Sequence, residues 1–278
     1  MGNVISFLNM KGGVGKTTLC IGAGEYLANY MEKKVLIIDV DPQFNATQSL
    51  TGVYNLVDAY LDDYLKNNKN IRKLFESTAN IFEQPEYAKP EDVIVEFSDN
   101  LHMICGNINL IFDDDTKDHS RTKRIRKFIK DNNLKDYYDL IFIDCPPTIS
   151  FYTDAALMAS DFYIIPNRID RYSSLGISSL QSVVHRLKGE EDLPIRLLGI
   201  VYTMVENRMT EKTLSIKRDF ESEDFVRGLY IFNSNTSHVR DLLVGMNENI
   251  ASKYQKSRHD IKEVCEEILE RLEGFDKE

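Results

Sequence analysis

The sequence has no tryptophan, four cysteines and five histidines in 278 residues, and it is short of positive charge. Lys and Arg number 34 against 44 Asp and Glu, a net charge of −10. Cys20, Cys105, Cys145 and Cys265 show no CxxC spacing, which argues against a disulfide framework, a zinc ribbon or a clustered iron–sulfur ligand set and favours a reducing, cytoplasmic setting. The histidines have no HExxH-like spacing, and no Ser/His/Asp set stands out. No apolar run approaches the ~18 residues of a membrane span. Val4 to Leu8 is too short for the apolar core of an export signal. The opening Met-Gly-Asn-Val-Ile-Ser fits a loose acylation pattern, but Gly2 is read as the residue that leads into a buried strand. The acidic balance provides no overall field for nucleic acid or an anionic membrane.

What is present is a globular composition, 42% hydrophobic and 28% charged, with alternating element signals. Val4–Leu8, Val35–Asp39, Leu140–Asp144, Phe162–Pro166 and Leu197–Thr203 are continuous apolar runs, and helical stretches separate them. Such runs are strands buried on both faces of a parallel sheet. The expected fold class is α/β, a doubly wound, mostly parallel sheet with helices on both faces, in one domain over 1–278. Residues 55–98, rich in Asn, Lys, Tyr and Glu, are expected to form surface helices. Residues 113–130 carry a basic run in which Ile125, Phe128 and Ile129 supply a buried helical stripe. Near 260–273, Ile261, Val264, Cys265, Ile268, Leu269 and Leu272 form one face of an amphipathic helix. Glu263, Glu266, Glu267, Glu270 and Glu273 are assigned to its polar face. A membrane-surface helix would carry Lys and Arg there, so docking onto the sheet is expected.

Lys11-Gly12-Gly13-Val14-Gly15-Lys16-Thr17-Thr18 lies between the first strand and the first helix. Glycines let backbone N–H groups converge on phosphate oxygens, and the helix N-terminus adds its positive dipole end. Lys16 is placed to reach the β- and γ-phosphates and Thr17 to ligate Mg²⁺. The ordinary pattern GxxxxGK[ST] needs Gly at position 10, where this chain has Met10. It has instead a second lysine, Lys11, whose charge is free for a nucleotide of its own or of a facing subunit. Asp39 and Asp41 sit at the end of the second strand, where an α/β sheet forms its ligand crevice; one can serve a metal's water shell and the other orient a nucleophilic water. Leu140-Ile141-Phe142-Ile143-Asp144 ends an apolar strand in an acid suited to Mg²⁺.

KGGVGKTT resembles the deviant Walker A motif of the ParA/MinD group of P-loop ATPases, and most closely the ParA-type partition ATPases. The resemblance extends to Asp41-Pro42-Gln43-Phe44-Asn45-Ala46-Thr47, where the family has DPQGNAT, and to Asp144-Cys145-Pro146-Pro147. It implies an Mg²⁺-dependent ATP hydrolase that closes as an ATP-sandwich homodimer. By that resemblance Lys11 reaches the partner's nucleotide and Asp41 positions the attacking water, with Thr17, Asp39 and Asp144 around the metal. Gly199–Met204 is similar to the strand before the adenine-side loop, which puts Thr203 and Met204 near the base.

The family binds DNA without sequence preference when dimeric with ATP, and a centromere-binding partner of the ParB kind stimulates hydrolysis. Given the acidic chain, such contact must rest on a local basic patch; Lys217, Arg218 and Arg240 are the candidates, and nucleoid association in the cytoplasm is the expected setting. The sequence begins at its first strand, so the helix-turn-helix extension of larger family members is not expected. Three rivals share most of these motifs: a MinD-like membrane-cycling ATPase, a metal-cluster carrier, and a positioning ATPase for a cargo other than DNA.

Overall fold

The structure is a computed structural model, and it describes residues 1–76, 88–113, 119–245 and 249–277. Eight strands form one sheet: β1 (Asn3–Phe7), β2 (Val35–Asp39), β3 (Ile94–Glu96), β4 (Leu101–Ile104), β5 (Leu140–Asp144), β6 (Phe162–Arg168), β7 (Arg196–Val205) and β8 (Ile231–Ser237). Their order across the sheet is β3-β4-β2-β5-β1-β6-β7-β8. Every pairing is parallel except the edge pair β3–β4. Strands β2 and β5 are buried at every position, because helices cover both faces and leave no solvent side for polar alternation.

Alternate residues feed two cores. Leu36, Ile38, Ile141 and Ile143 point to one, and Ile5, Phe7, Ile37 and Phe142 to the other. Helix α1 (Lys16–Tyr30) and the C-terminal helix Gln255–Phe275 pack on the second. Gly24 lets α1 lie close to the sheet: a Cβ there would stand 2.7 Å from Ile37 Cδ1. Gly2 has a similar packing reason, since a Cβ would fall 1.9 Å from the Tyr138 carbonyl oxygen.

Chain direction places the site. From β1 the chain runs outward through α1 to β2 and β4, returns to β5 beside β1, and then builds β6, β7 and β8 on the other side. The resulting switch point puts a crevice at the carboxyl ends of β1 and β5. Phe7 and Asp39 both register with Asp144, so three strands end level at this crevice.

Three expectations need correction. Residues 55–98 are not helical throughout. Their described part holds only short helical turns, and Ile94–Glu96 is a strand with Val93, Val95 and Phe97 buried in alternation; residues 77–87 lie outside the described residues. The C-terminal helix starts at Gln255, earlier than expected. Glu267 does not lie on its solvated face. It is 9% exposed and accepts hydrogen bonds from Tyr230 Oη (2.7 Å), Asn233 N (2.8 Å), Ser234 N (2.8 Å) and Ser234 Oγ (2.6 Å), tying the helix to edge strand β8. In the basic run, Arg124–Asp131 is a helix that buries Ile125, Phe128 and Ile129; Asp114, Asp115 and Lys117 lie outside the described residues.

Candidate nucleotide site

The loop between β1 and α1 turns on two glycines. Gly13 (φ +71°) and Gly15 (φ +78°) occupy the left-handed region, where a side chain is strained. Gly12 has open space where a Cβ would stand. Gly15 caps α1, so the free N–H groups of the first helical turn face the loop's hollow. Thr203 props the loop from below: its hydroxyl donates to the Val14 carbonyl at 2.7 Å. A Cβ on Gly15 would meet Met204 Cε at 3.4 Å and Thr203 Cβ at 3.6 Å. Met204 itself has φ +54°. Thr203 and Met204 also line a small cavity with Thr236, Val239 and Leu242.

The two lysines of the motif point in different directions. Lys16 is 6% exposed, and its Nζ lies 3.3 Å from the Lys11 carbonyl oxygen across the loop. Burial pushes its ammonium pKa down, while the charges of Asp144 and Asp41 resist. Lys11 turns away to an ion pair with Asp170, beyond the end of β6, with its Nζ 5.9 Å from the centroid of the Tyr172 ring. Asn9 fixes this corner: its amide donates to the Pro166 carbonyl (2.9 Å) and its oxygen accepts from Lys11 N (3.1 Å).

Three carboxylates share the site with Lys16. Asp144 is fully buried at the end of β5; its Oδ2 accepts from Thr17 Oγ1 at 2.7 Å, and its Oδ1 is buried without a partner. Burial raises its pKa well above the carboxylate range, and the neighbouring Asp39 adds to this. Asp39 is also fully buried. Its Oδ2 accepts from Thr47 N (2.9 Å) and Thr47 Oγ1 (2.8 Å), and its Oδ1 from Asp41 N (3.2 Å). It therefore anchors helix α2 (Asn45–Val53) as well as facing the site. Asp41 is 5% exposed, with Oδ1 held by Gln43 N at 2.9 Å and its carboxyl raised by burial. Thr17 and Thr18 open onto a 510 Å³ cavity beside α1, lined also by Asn45, Gln48 and Leu242.

Magnesium fits this donor set. A hard divalent cation keeps several waters and takes one or two protein oxygens plus phosphates. The unpartnered, buried Asp144 Oδ1 beside the Thr17 hydroxyl supplies the acceptor that such a hydrated ion needs. Among the described residues, no group of three or more His, Cys, Asp and Glu is arranged to hold a metal without phosphate help.

Phe44 stands where the resembling motif has glycine, and it has φ +42°. The backbone keeps the left-handed turn that glycine favours, and the ring stacks on Tyr60 at 6.1 Å. The family described as "AAA domain" matches residues 2–195. The sporulation initiation inhibitor protein Soj of Bacillus subtilis is 32% identical over 208 residues, 75% of each chain. The chain belongs to the ParA-type ATPases. It is also similar to a Borrelia burgdorferi plasmid partition protein structure (TM-score 0.71, 21% identity, 98% of this chain and 100% of that one). The fold matches a Mycobacterium smegmatis cobyrinic acid a,c-diamide synthase solved with an ATP analogue and magnesium (TM-score 0.76, 19% identity, 98% and 96% covered).

In this ParA-type chain, the sequence alone assigns no site role to Asn9, Thr47, Gly106 and Asp170. Gly106 follows β4, where a Cβ would stand 2.8 Å from Phe44 Cβ and 2.9 Å from Asp39 Oδ2; its N–H donates to Thr47 Oγ1 at 2.7 Å. The basic candidates separate. Lys217 is engaged, 3.5 Å from Glu221 and 5.1 Å from the Tyr202 ring centroid. Arg218 and Arg240 are exposed. Exposed Arg168 and His238 line one small cavity with Thr213. No helix of the described residues is long and apolar enough to cross a membrane.

Proposed function

We propose that this ParA-type ATPase binds Mg·ATP in the loop Lys11–Thr18, closes into an ATP-sandwich homodimer, and in that form holds DNA for partition. The observation that carries the reading is the divergence of the two lysines. Lys16 lies buried over its own loop, whereas Lys11 points outward, 29% exposed, beside the exposed ring of Tyr172. A cation so placed serves a facing subunit's phosphates better than its own.

In this reading the N–H groups of Gly12, Gly13, Val14, Gly15 and Lys16 cradle the phosphates, and Thr18 adds a hydroxyl at the helix start. Thr17 and, through water, Asp144 would hold Mg²⁺, with Asp39 behind them. Bound magnesium supplies neutralisation of charge on the phosphate oxygens. Lys16 holds the transferred phosphoryl group, Asp41 orients the attacking water, and the partner's Lys11 completes the charge balance, so catalysis is positioning and electrostatics. A Treponema pallidum relative, the chromosome-partitioning ATPase Soj, 30% identical over 210 residues, supports placing this chemistry in partition. DNA contact falls to Arg218 and Arg240, with Lys217 contributing only if it leaves Glu221. A ParB-like DNA-binding partner stimulates turnover, and the assembly is nucleoid-associated.

Lys16→Ala removes charge-assisted contacts to the phosphates. Affinity for a fluorescent ATP analogue should fall by about 10- to 100-fold. Retained affinity would refute the loop assignment.

A further inference from the structure

Asp170 lies 159 positions from Lys11 in the sequence, yet it is the carboxylate that meets the outward-pointing lysine. Its placement is built rather than incidental. Asp170 Oδ1 accepts from Tyr172 N at 2.9 Å, which folds 170–172 into a tight turn. Ser173 Oγ closes that turn by donating to the Arg168 carbonyl at 2.6 Å. The following helix, Ser173–Glu191, is pressed against the phosphate loop at Gly176, where a Cβ would stand 2.9 Å from Asn9 Oδ1 and 3.7 Å from Lys11 Cβ. Asn9 in turn joins the loop to the end of β6. The Lys11 and Asp170 side chains are 29% and 28% exposed, so the pair is accessible to a competing anion.

We propose that Asp170 is a positioning residue that acts through Lys11: it holds the lysine on its own subunit, and this hold must be exchanged for a phosphate of the facing subunit before the sandwich closes. This rests on the reading that Lys11 works across a dimer. The exchange swaps one anion for another on a single ammonium, so no proton transfer is required. Phosphate, with more negative charge and more acceptor oxygens, displaces a carboxylate; a subunit facing no nucleotide keeps its lysine latched. Asp170 thereby makes dimerisation depend on nucleotide.

The magnitude follows from two latches per dimer. An ion pair of this exposure leaves about one lysine in three to one in five released at any time. The fraction of subunits competent to dimerise enters once for each subunit, so removing both latches tightens the dimer by the square, about 10- to 25-fold.

The test is analytical ultracentrifugation of the full chain at graded concentrations in Mg²⁺ with a non-hydrolysable ATP analogue, with ADP, and without nucleotide. Wild type, Asp170→Asn and Asp170→Glu are compared, with circular dichroism and thermal unfolding as controls of fold. D170N should dimerise about 10- to 25-fold more tightly with the analogue, and D170E should return toward wild type because it restores the carboxylate. Added salt should narrow the gap between wild type and D170N. A D170N dimer equal to wild type, or weaker, overturns the proposal; a weaker dimer would mean that Asp170 orients Lys11 within the closed sandwich. If wild type fails to dimerise with the analogue, the failure lies with the sandwich reading itself and removes the basis of the latch.

Discussion

Glu267→Ala tests the most engaged carboxylate outside the nucleotide site among the described residues. The wild-type carboxylate receives two backbone N–H groups, from Asn233 and Ser234, and two hydroxyls, from Tyr230 and Ser234. Asn233 is exposed and Tyr230 half-buried, so water can replace the acceptor there; Ser234 is buried, and its N–H and hydroxyl lose theirs. Two orphaned donors at about 1–3 kcal/mol each, less what water regains, give about 2–4 kcal/mol. For a chain of this size the melting temperature should fall by about 4–16 °C, measured by circular dichroism at pH 7. The pH dependence has a definite sign. Burial alone would raise the Glu267 carboxyl, but the hydrogen bonds from Ser234, Asn233 and Tyr230 outweigh it and hold the group below its usual value. Its contribution is therefore complete above the unfolded value of about 4.3 and disappears as pH falls through the folded one. The gap between wild type and E267A should close in acid. A gap below about 1 °C at pH 7, or one that persists unchanged at about pH 3, would refute this account of the β8 edge.

Other consequences concern the site. Gly106→Ala would push a methyl into Asp39 Oδ2 and Phe44 Cβ; displacing the Asp39–Thr47 bracket should lower ATP turnover by about tenfold or more, the effect of mispositioning by a fraction of an ångström, and normal turnover would show that the bracket does not support the chemistry. Arg218→Ala with Arg240→Ala should abolish ATP-dependent DNA retention in a mobility assay while hydrolysis survives, and unchanged retention would move the contact to other cations such as Arg168.

The fold was legible wherever burial on both faces wrote itself into composition. Val35–Asp39 and Leu140–Asp144 are continuous apolar runs, and the strands have those bounds. The loop Lys11–Thr18 was legible because its glycines and lysines are local. What escaped was non-local or partial. The signal for β3 was the alternation of Val93, Val95 and Phe97, hidden within a polar stretch. Glu267 follows Val264 by three positions, at the margin of the buried stripe, and helical periodicity carries no information about the N–H groups of a neighbouring strand. Nothing local announces that Asp170 meets Lys11; the sheet order, with β6 beside β1, brings them together. Phe44 departs from the family's glycine in the sequence itself, and the structure supplies the consequence, a left-handed turn held by a residue that strains to adopt it.

The central claim is that nucleotide closes two subunits over a shared pair of sites and that Asp41 is needed only for the hydrolysis that opens them. Sedimentation of Asp41→Ala in Mg·ATP and in Mg·ADP tests it most directly. The account predicts a lasting dimer with ATP, a monomer with ADP and little phosphate release; a monomer under both conditions, or rapid hydrolysis by the variant, would contradict it.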